Sequence, residues 1–120
     1  EVGMSRQKVV YVRELATAVL EKQLNFRRIA SLEDEEAIAV LTRIKGIGRW
    51  TAEVYLLFAH RRPDIWPVDD LAVVVGLQRL KGLEERPTRK EMLAIGEDWR
   101  PWRSVVARLC WHYYSSAPPA

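Results

Sequence analysis

Apolar residues along this chain recur at three- and four-residue intervals, and its long stretches read as helix. Val9, Val12, Ala16, Val19 and Leu20 form one such row, and Ser5 can cap a helix from about Arg6 to Gln23. Ser31 opens a second helix, with Asp34 three residues on as a weak relative of the capping box and Leu41 and Ile44 on its apolar side. That helix stops at Lys45 and Gly46. A third begins near Gly48 and Arg49 and runs to about Ala59. Residues 60–68, HRRPDIWPV, carry two prolines and read as a loop. A fourth helix starts near Asp69 and Asp70 and passes through Leu71, Val74 and Leu77 to Leu80, with Gly82 as its stop. Its valines also suit a strand, but its length, its capping aspartates and its helical neighbours favour helix. Thr88 to Glu91 is a full capping box for a short fifth helix. Pro101 suits a first helical turn and predicts a sixth helix from Trp102 to Tyr114. Residues 115–120 read as a tail. The predicted fold class is all-α, with short connections.

The 120 residues are 48% hydrophobic, enough for one small core. A net charge of +3, spread without long runs of one sign, suits a polyanionic partner without demonstrating one. The single cysteine, Cys110, lies in an apolar, aromatic stretch and reads as a small buried residue. One cysteine excludes an intrachain disulfide framework and a four-cysteine metal or iron–sulfur site. No signal peptide is visible, and no apolar run approaches the roughly 18 residues of a membrane span. An intracellular protein of the cytoplasm or nucleoid, with no membrane contact, is the expectation.

Residues 41–52, LTRIKGIGRWTA, are the most informative stretch. Gly46 and Gly48 permit positive φ and close approach of another backbone, and Ile47 can plug the gap between two helices. The third helix then begins with N–H groups at Gly48, Arg49 and Trp50, which is an anion-binding arrangement. Lys45 and Arg49 add charge beside it. A ligand-free glycine turn is the bland alternative. The segment resembles the helix-hairpin-helix motif, a sequence-tolerant grip on one DNA strand. That resemblance implies DNA contacts from Lys45, Gly46, Gly48, Arg49, Trp50 and Thr51. It also implies a monovalent cation, sodium or potassium, on the backbone carbonyls of Thr42, Ile44 and Ile47. Lys45 stands where relatives often have proline.

Asp70 follows Gly48 by 22 positions, beyond a loop ending WPVDD. With GLQRL at 76–80, LEERPTR at 83–89 and WRPWRS at 99–104, the chain is similar to the 3-methyladenine DNA glycosylase II (AlkA-type) family. That family sits within the helix-hairpin-helix/Gly-Pro-Asp glycosylase superfamily. The resemblance runs from Ser5 to about Trp111 and implies hydrolysis of the N-glycosidic bond of alkylated bases, such as 3-methyladenine, in duplex DNA. Asp70 would stabilise the sugar cation and orient water, with Asp69 as the register alternative and helix capping as the plain reading of either. Trp50 stands where relatives with lyase activity carry the Schiff-base lysine, which implies a monofunctional enzyme needing no cofactor. Trp50 and Trp111 match positions lining the base pocket, with Tyr55 and Trp66 as possible assistants. Five tryptophans can equally fill a helical core. At Val54 known relatives have a pocket-facing tyrosine.

Arg100 and Arg103 suit either phosphate or an acidic partner, and His60, Arg61 and Arg62 form a small basic cluster that could lie along DNA. Family members are longer, so the chain is expected to be the carboxy-terminal part of the glycosylase domain. Alone it would pack incompletely, associate with the missing amino-terminal part or with itself, and have no assured activity. The rival reading is a non-catalytic helix-hairpin-helix DNA-binding module, and a weaker third is a helical protein-interaction domain.

Overall fold

The structure, a computed structural model, describes residues 10, 13, 26–44 and 46–116. All regular structure among the described residues is α-helical, as expected. The helix expected over residues 6–23 lies outside them, apart from Val10 and Arg13, which are helical. No described helix is long and apolar enough to cross a membrane. Backbone contacts divide the chain into two compact units, with the described residues up to Arg62 in one and those from Pro63 onward in the other.

The first unit holds α1 (Phe26–Ala30), α2 (Asp34–Thr42) and α3 (Arg49–Ala59). The short α1 was not legible in the pattern. Ser31 does not open α2: it closes α1, its N–H donating to the carbonyls of Arg27 and Arg28 and its Oγ to that of Arg28. The N-cap is Glu33, in a reciprocal capping box with Glu36. This register places Asp34, Glu35 and Glu36 together in the first turn, where the helix dipole favours negative charge. Ile29, Ala37, Ile38 and Leu41 are buried. On α3 every residue from Thr51 to Leu57 is buried, so this helix is enclosed on all sides rather than along one stripe. Past its end, Arg62 reaches back to the carbonyls of Ile29 and Leu32, each at 2.7 Å, and to Asp34 at 3.1 Å. It is thus a staple between α1 and α2, not a cation available along DNA.

The second unit holds α4 (Leu71–Lys81), α5 (Arg89–Glu97) and α6 (Arg103–Ser116). Asp70 caps α4, and Gly82 ends it in the left-handed region with φ 66°. There the Leu83 N–H bonds the Gln78 carbonyl and the Gly82 N–H that of Arg79. Thr88 and Glu91 form the expected capping box of α5. The last helix differs from expectation at both ends. Pro101 lies before it, in a turn with a cis Arg100–Pro101 bond, and the helix continues past Tyr114. The start is set by Asp64, whose carboxylate accepts from the N–H of Arg103.

Helices α4 and α6 pack closely at Gly76, where a Cβ would fall well inside contact distance of the Cys110 carbonyl. Val73, Leu77, Met92, Ala107, Cys110 and Trp111 are fully buried. Burial pushes the Cys110 thiol up to about 12, which leaves it an inert apolar residue. Trp102, Val105 and Leu109 are exposed, an apolar row at helical spacing.

Candidate functional site

The hairpin of the first unit is built as the sequence suggests, with one difference at the glycines. After Thr42 the chain tightens: the N–H of Ile44 bonds the Leu41 carbonyl, and that of Ile47 bonds the Ile44 carbonyl at 3.0 Å. Gly46 has φ 90°, a conformation other residues rarely adopt. Gly48 does not: its φ of −91° and ψ of −179° are ordinary extended backbone, and it is the N-cap of α3. A Cβ at Gly48 would meet nothing within 4 Å. Neither backbone conformation nor crowding within the protein therefore requires glycine there. Lacking a side chain, Gly48 leaves the start of α3 without a side-chain cap.

Around this turn the expected contact residues divide. Gly46, Gly48 and Arg49 are exposed, Ile44, Ile47 and Trp50 are half-buried, and Thr51 is buried. Lys45 lies outside the described residues. The Thr42 side chain is turned back on its own helix, bonding the carbonyls of Ile38 and Ala39. Arg49 is engaged within the protein. Its guanidinium forks onto Glu35 at 3.0 and 2.7 Å, and its Nε bonds Glu53 at 3.2 Å. The hydrogen bonds that Arg49 donates to Glu35, against some desolvation, and the charges of both carboxylates hold this guanidinium protonated well above its usual range. The i,i+4 spacing of Arg49 and Glu53 was readable in the sequence, but the longer link to Glu35 was not.

In the second unit the structure brings together two residues singled out separately, Asp70 and Trp111. Oδ1 of Asp70 accepts the N–H of Val73, as a helix cap does, and also the indole N–H of Trp111, each at 3.1 Å. Trp111 is fully buried and Asp70 is 2% exposed. Asp69 is not the cap: it is exposed and pairs with Arg89. The proline loop is fastened before it reaches Asp70. Asp64 binds the Arg103 guanidinium at 2.7 and 3.1 Å, Ser104 Oγ accepts from the Ile65 N–H, and the Ser104 N–H donates to the Pro63 carbonyl. Arg100 also pairs with Asp64 and with Glu97, so both arginines take acidic partners.

Trp66 and Tyr55, considered for a pocket role, are core residues. Trp66 donates to the Met92 carbonyl, meets Trp99 edge-on and packs against Gly96. Tyr55 is buried, with its hydroxyl 3.1 Å from Nε2 of His60. Among the described residues no cluster of His, Cys, Asp or Glu could hold a metal ion. The carbonyls of Thr42, Ile44 and Ile47 lie at or past the end of α2 and are neutral oxygen donors of the kind that suit a hard monovalent cation, that of Ile44 already accepting the Ile47 N–H.

Comparison with known proteins matches residues 1–101 to the model for the HhH-GPD superfamily base excision DNA repair protein. The chain is 36% identical over 110 residues to the DNA-3-methyladenine glycosylase 1 of Schizosaccharomyces pombe, covering 91% of this chain and 48% of that protein. It is 30% identical over 110 residues to the DNA-3-methyladenine glycosylase 2 of Escherichia coli, covering 92% and 36%. It is also similar to the solved structure of the Schizosaccharomyces pombe 3-methyladenine DNA glycosylase in complex with abasic DNA. There the TM-score is 0.76 and the identity 34%, over 98% of this chain and 58% of that one. The chain thus spans about half the length of the first of these relatives, or less for the second. It belongs to the HhH-GPD superfamily of base-excision DNA repair proteins.

Proposed function

We propose that the protein acts in base-excision repair as a monofunctional glycosylase of the 3-methyladenine DNA glycosylase II type, releasing alkylated bases from duplex DNA. The hairpin around Gly46 and Gly48 grips a backbone phosphate through the open start of α3. Neither φ nor crowding demands glycine at position 48, which supports this, since a missing side chain there leaves room for a partner's backbone. Where a cation takes part in the grip, the carbonyls of Thr42, Ile44 and Ile47 would hold it, and bound there it would supply positive charge beside the phosphate.

The observation that carries the catalytic reading is the second donor on Asp70. A helix cap needs only the Val73 N–H; the Trp111 indole fixes the carboxylate further. An alkylated purine carries positive charge and leaves with the electron pair of the N-glycosidic bond. Asp70 then stabilises the sugar cation and takes the proton of the water whose oxygen adds to the sugar carbon. The carboxylate is almost enclosed, so DNA binding has to open access to it. Trp50 supplies no amine for a Schiff base, which supports hydrolysis without strand cleavage. Trp50, half-buried at the start of α3, and Trp111, whose indole N–H goes to Asp70, are the two rings proposed to face a flipped cationic base.

Duplex DNA carrying 3-methyladenine tests this. The protein should produce alkali-labile abasic sites, and Asp70→Asn should abolish them while duplex binding persists. The near-complete burial of Asp70 favours one rival, a DNA-binding module without catalysis. That reading predicts duplex binding by the parent protein with no base release at any enzyme concentration.

A further inference from the structure

The charge on Arg49 invites assignment to a DNA phosphate, but its surroundings argue otherwise. Three of its N–H groups are directed at two carboxylates, Glu35 in the first turn of α2 and Glu53 on α3. A phosphate drawn to this guanidinium would meet two negative charges around one positive one. Glu53 is 3% exposed and cannot swing into water. If Arg49 left it for DNA, a buried carboxylate would lose an ion pair and a hydrogen bond at 3.2 Å, which is costly. The guanidinium is therefore held where it is.

We propose that Arg49 is a positioning residue: by clamping Glu35 of α2 and Glu53 of α3 it fixes the angle between the two hairpin helices and presents the Gly46–Gly48 turn to DNA, without itself touching phosphate. The inference rests on the reading of the hairpin as a DNA grip. Arginine is required for this role because its planar fork meets both oxygens of one carboxylate while Nε reaches another, and a lysine ammonium cannot reproduce that geometry.

The test is binding to a fluorescent duplex containing an abasic site, measured over a range of potassium chloride concentrations. Arg49→Lys keeps the charge and loses the fork. Glu35→Gln, at an exposed position that tolerates the change, loses the partner. Both should weaken binding roughly two- to fivefold, with the slope of log affinity against log salt unchanged. The double variant should bind no more weakly than the worse single one, because the two residues act as a unit. Arg49→Lys binding like the parent overturns the proposal, and so does Glu35→Gln binding as well as the parent or more tightly. An Arg49→Gln slope shallower by about 0.9 would mean that a phosphate contact had been lost, with the same consequence. A parent protein that binds no duplex at low salt instead sinks the hairpin reading itself, and this inference with it.

Discussion

Trp111 on α6 donates its indole N–H to Oδ1 of Asp70 at 3.1 Å, across 41 positions of the chain. The bond ties the start of α4 to the last helix, and it depends on both helices keeping their register. Trp111→Phe keeps an aromatic ring and leaves Asp70 its capping bond to Val73, while removing the indole donor. A hydrogen bond to a charged group contributes about 1.5–3 kcal/mol. If Trp111 orients the catalytic carboxylate, base release should slow roughly 10- to 100-fold. Single-turnover release of 3-methyladenine, read beside a urea melt, separates this from general loosening. Release at the parent rate would show that Asp70 needs no help from Trp111.

Two glycines should respond in different ways to the same change. At Gly76 an added methyl collides with the backbone carbonyl of Cys110, and backbone cannot rotate aside. Gly76→Ala should therefore push α4 and α6 apart and destabilise the protein by about 1–3 kcal/mol. At Gly48 the methyl enters open space and the backbone is already extended. Gly48→Ala should lower stability only by the cost of a poorer N-cap, about 0.5–1 kcal/mol, and weaken DNA binding, because the new methyl stands where phosphate approaches. A Gly48→Ala protein that binds duplex as well as the parent would remove the main support for the hairpin grip.

What could be read in advance follows the range of each interaction. The capping box of Thr88 and Glu91 and the stop at Gly82 are local, and both stand where the sequence puts them. So does the start of α3. Ser31 is a good cap in isolation, yet α2 starts at Asp34. What decides the register is the box between Glu33 and Glu36 together with the return of Arg62 from 28 or more positions away. Asp64 shows the same limit. Nothing near it in sequence marks it as the anchor of Arg103, yet that pair fixes where α6 begins. Asp70 and Trp111 were each legible as candidates, from resemblance and composition. Their mutual bond was not, since 41 positions separate them.

Acid should erode stability in two separate stages. Burial, and then the charge of Arg62, hold the His60 imidazole below its usual 6.5. Burial alone would raise the Asp64 carboxyl. The hydrogen bonds from Arg103 and the charges of Arg103 and Arg100 outweigh it and keep the group below its usual 3.8. Each group thus binds its proton less readily in the fold than in the unfolded chain, so stability rises with pH across its window. The His60 contribution is complete above 6.5 and is lost as pH falls through the lowered folded value. The Asp64 contribution is complete above 3.8 and is lost below it in the same way. Urea midpoints measured from about pH 8 to pH 3 should fall in both windows. His60→Gln should flatten the upper decline and spare the lower. Asp64→Asn should do the reverse and also lower stability at neutral pH, by about 1.5–3 kcal/mol for a charged hydrogen-bonded pair shielded from solvent. An upper decline that persists without His60 would mean that the imidazole beside Tyr55 takes up its proton as readily in the fold as outside it.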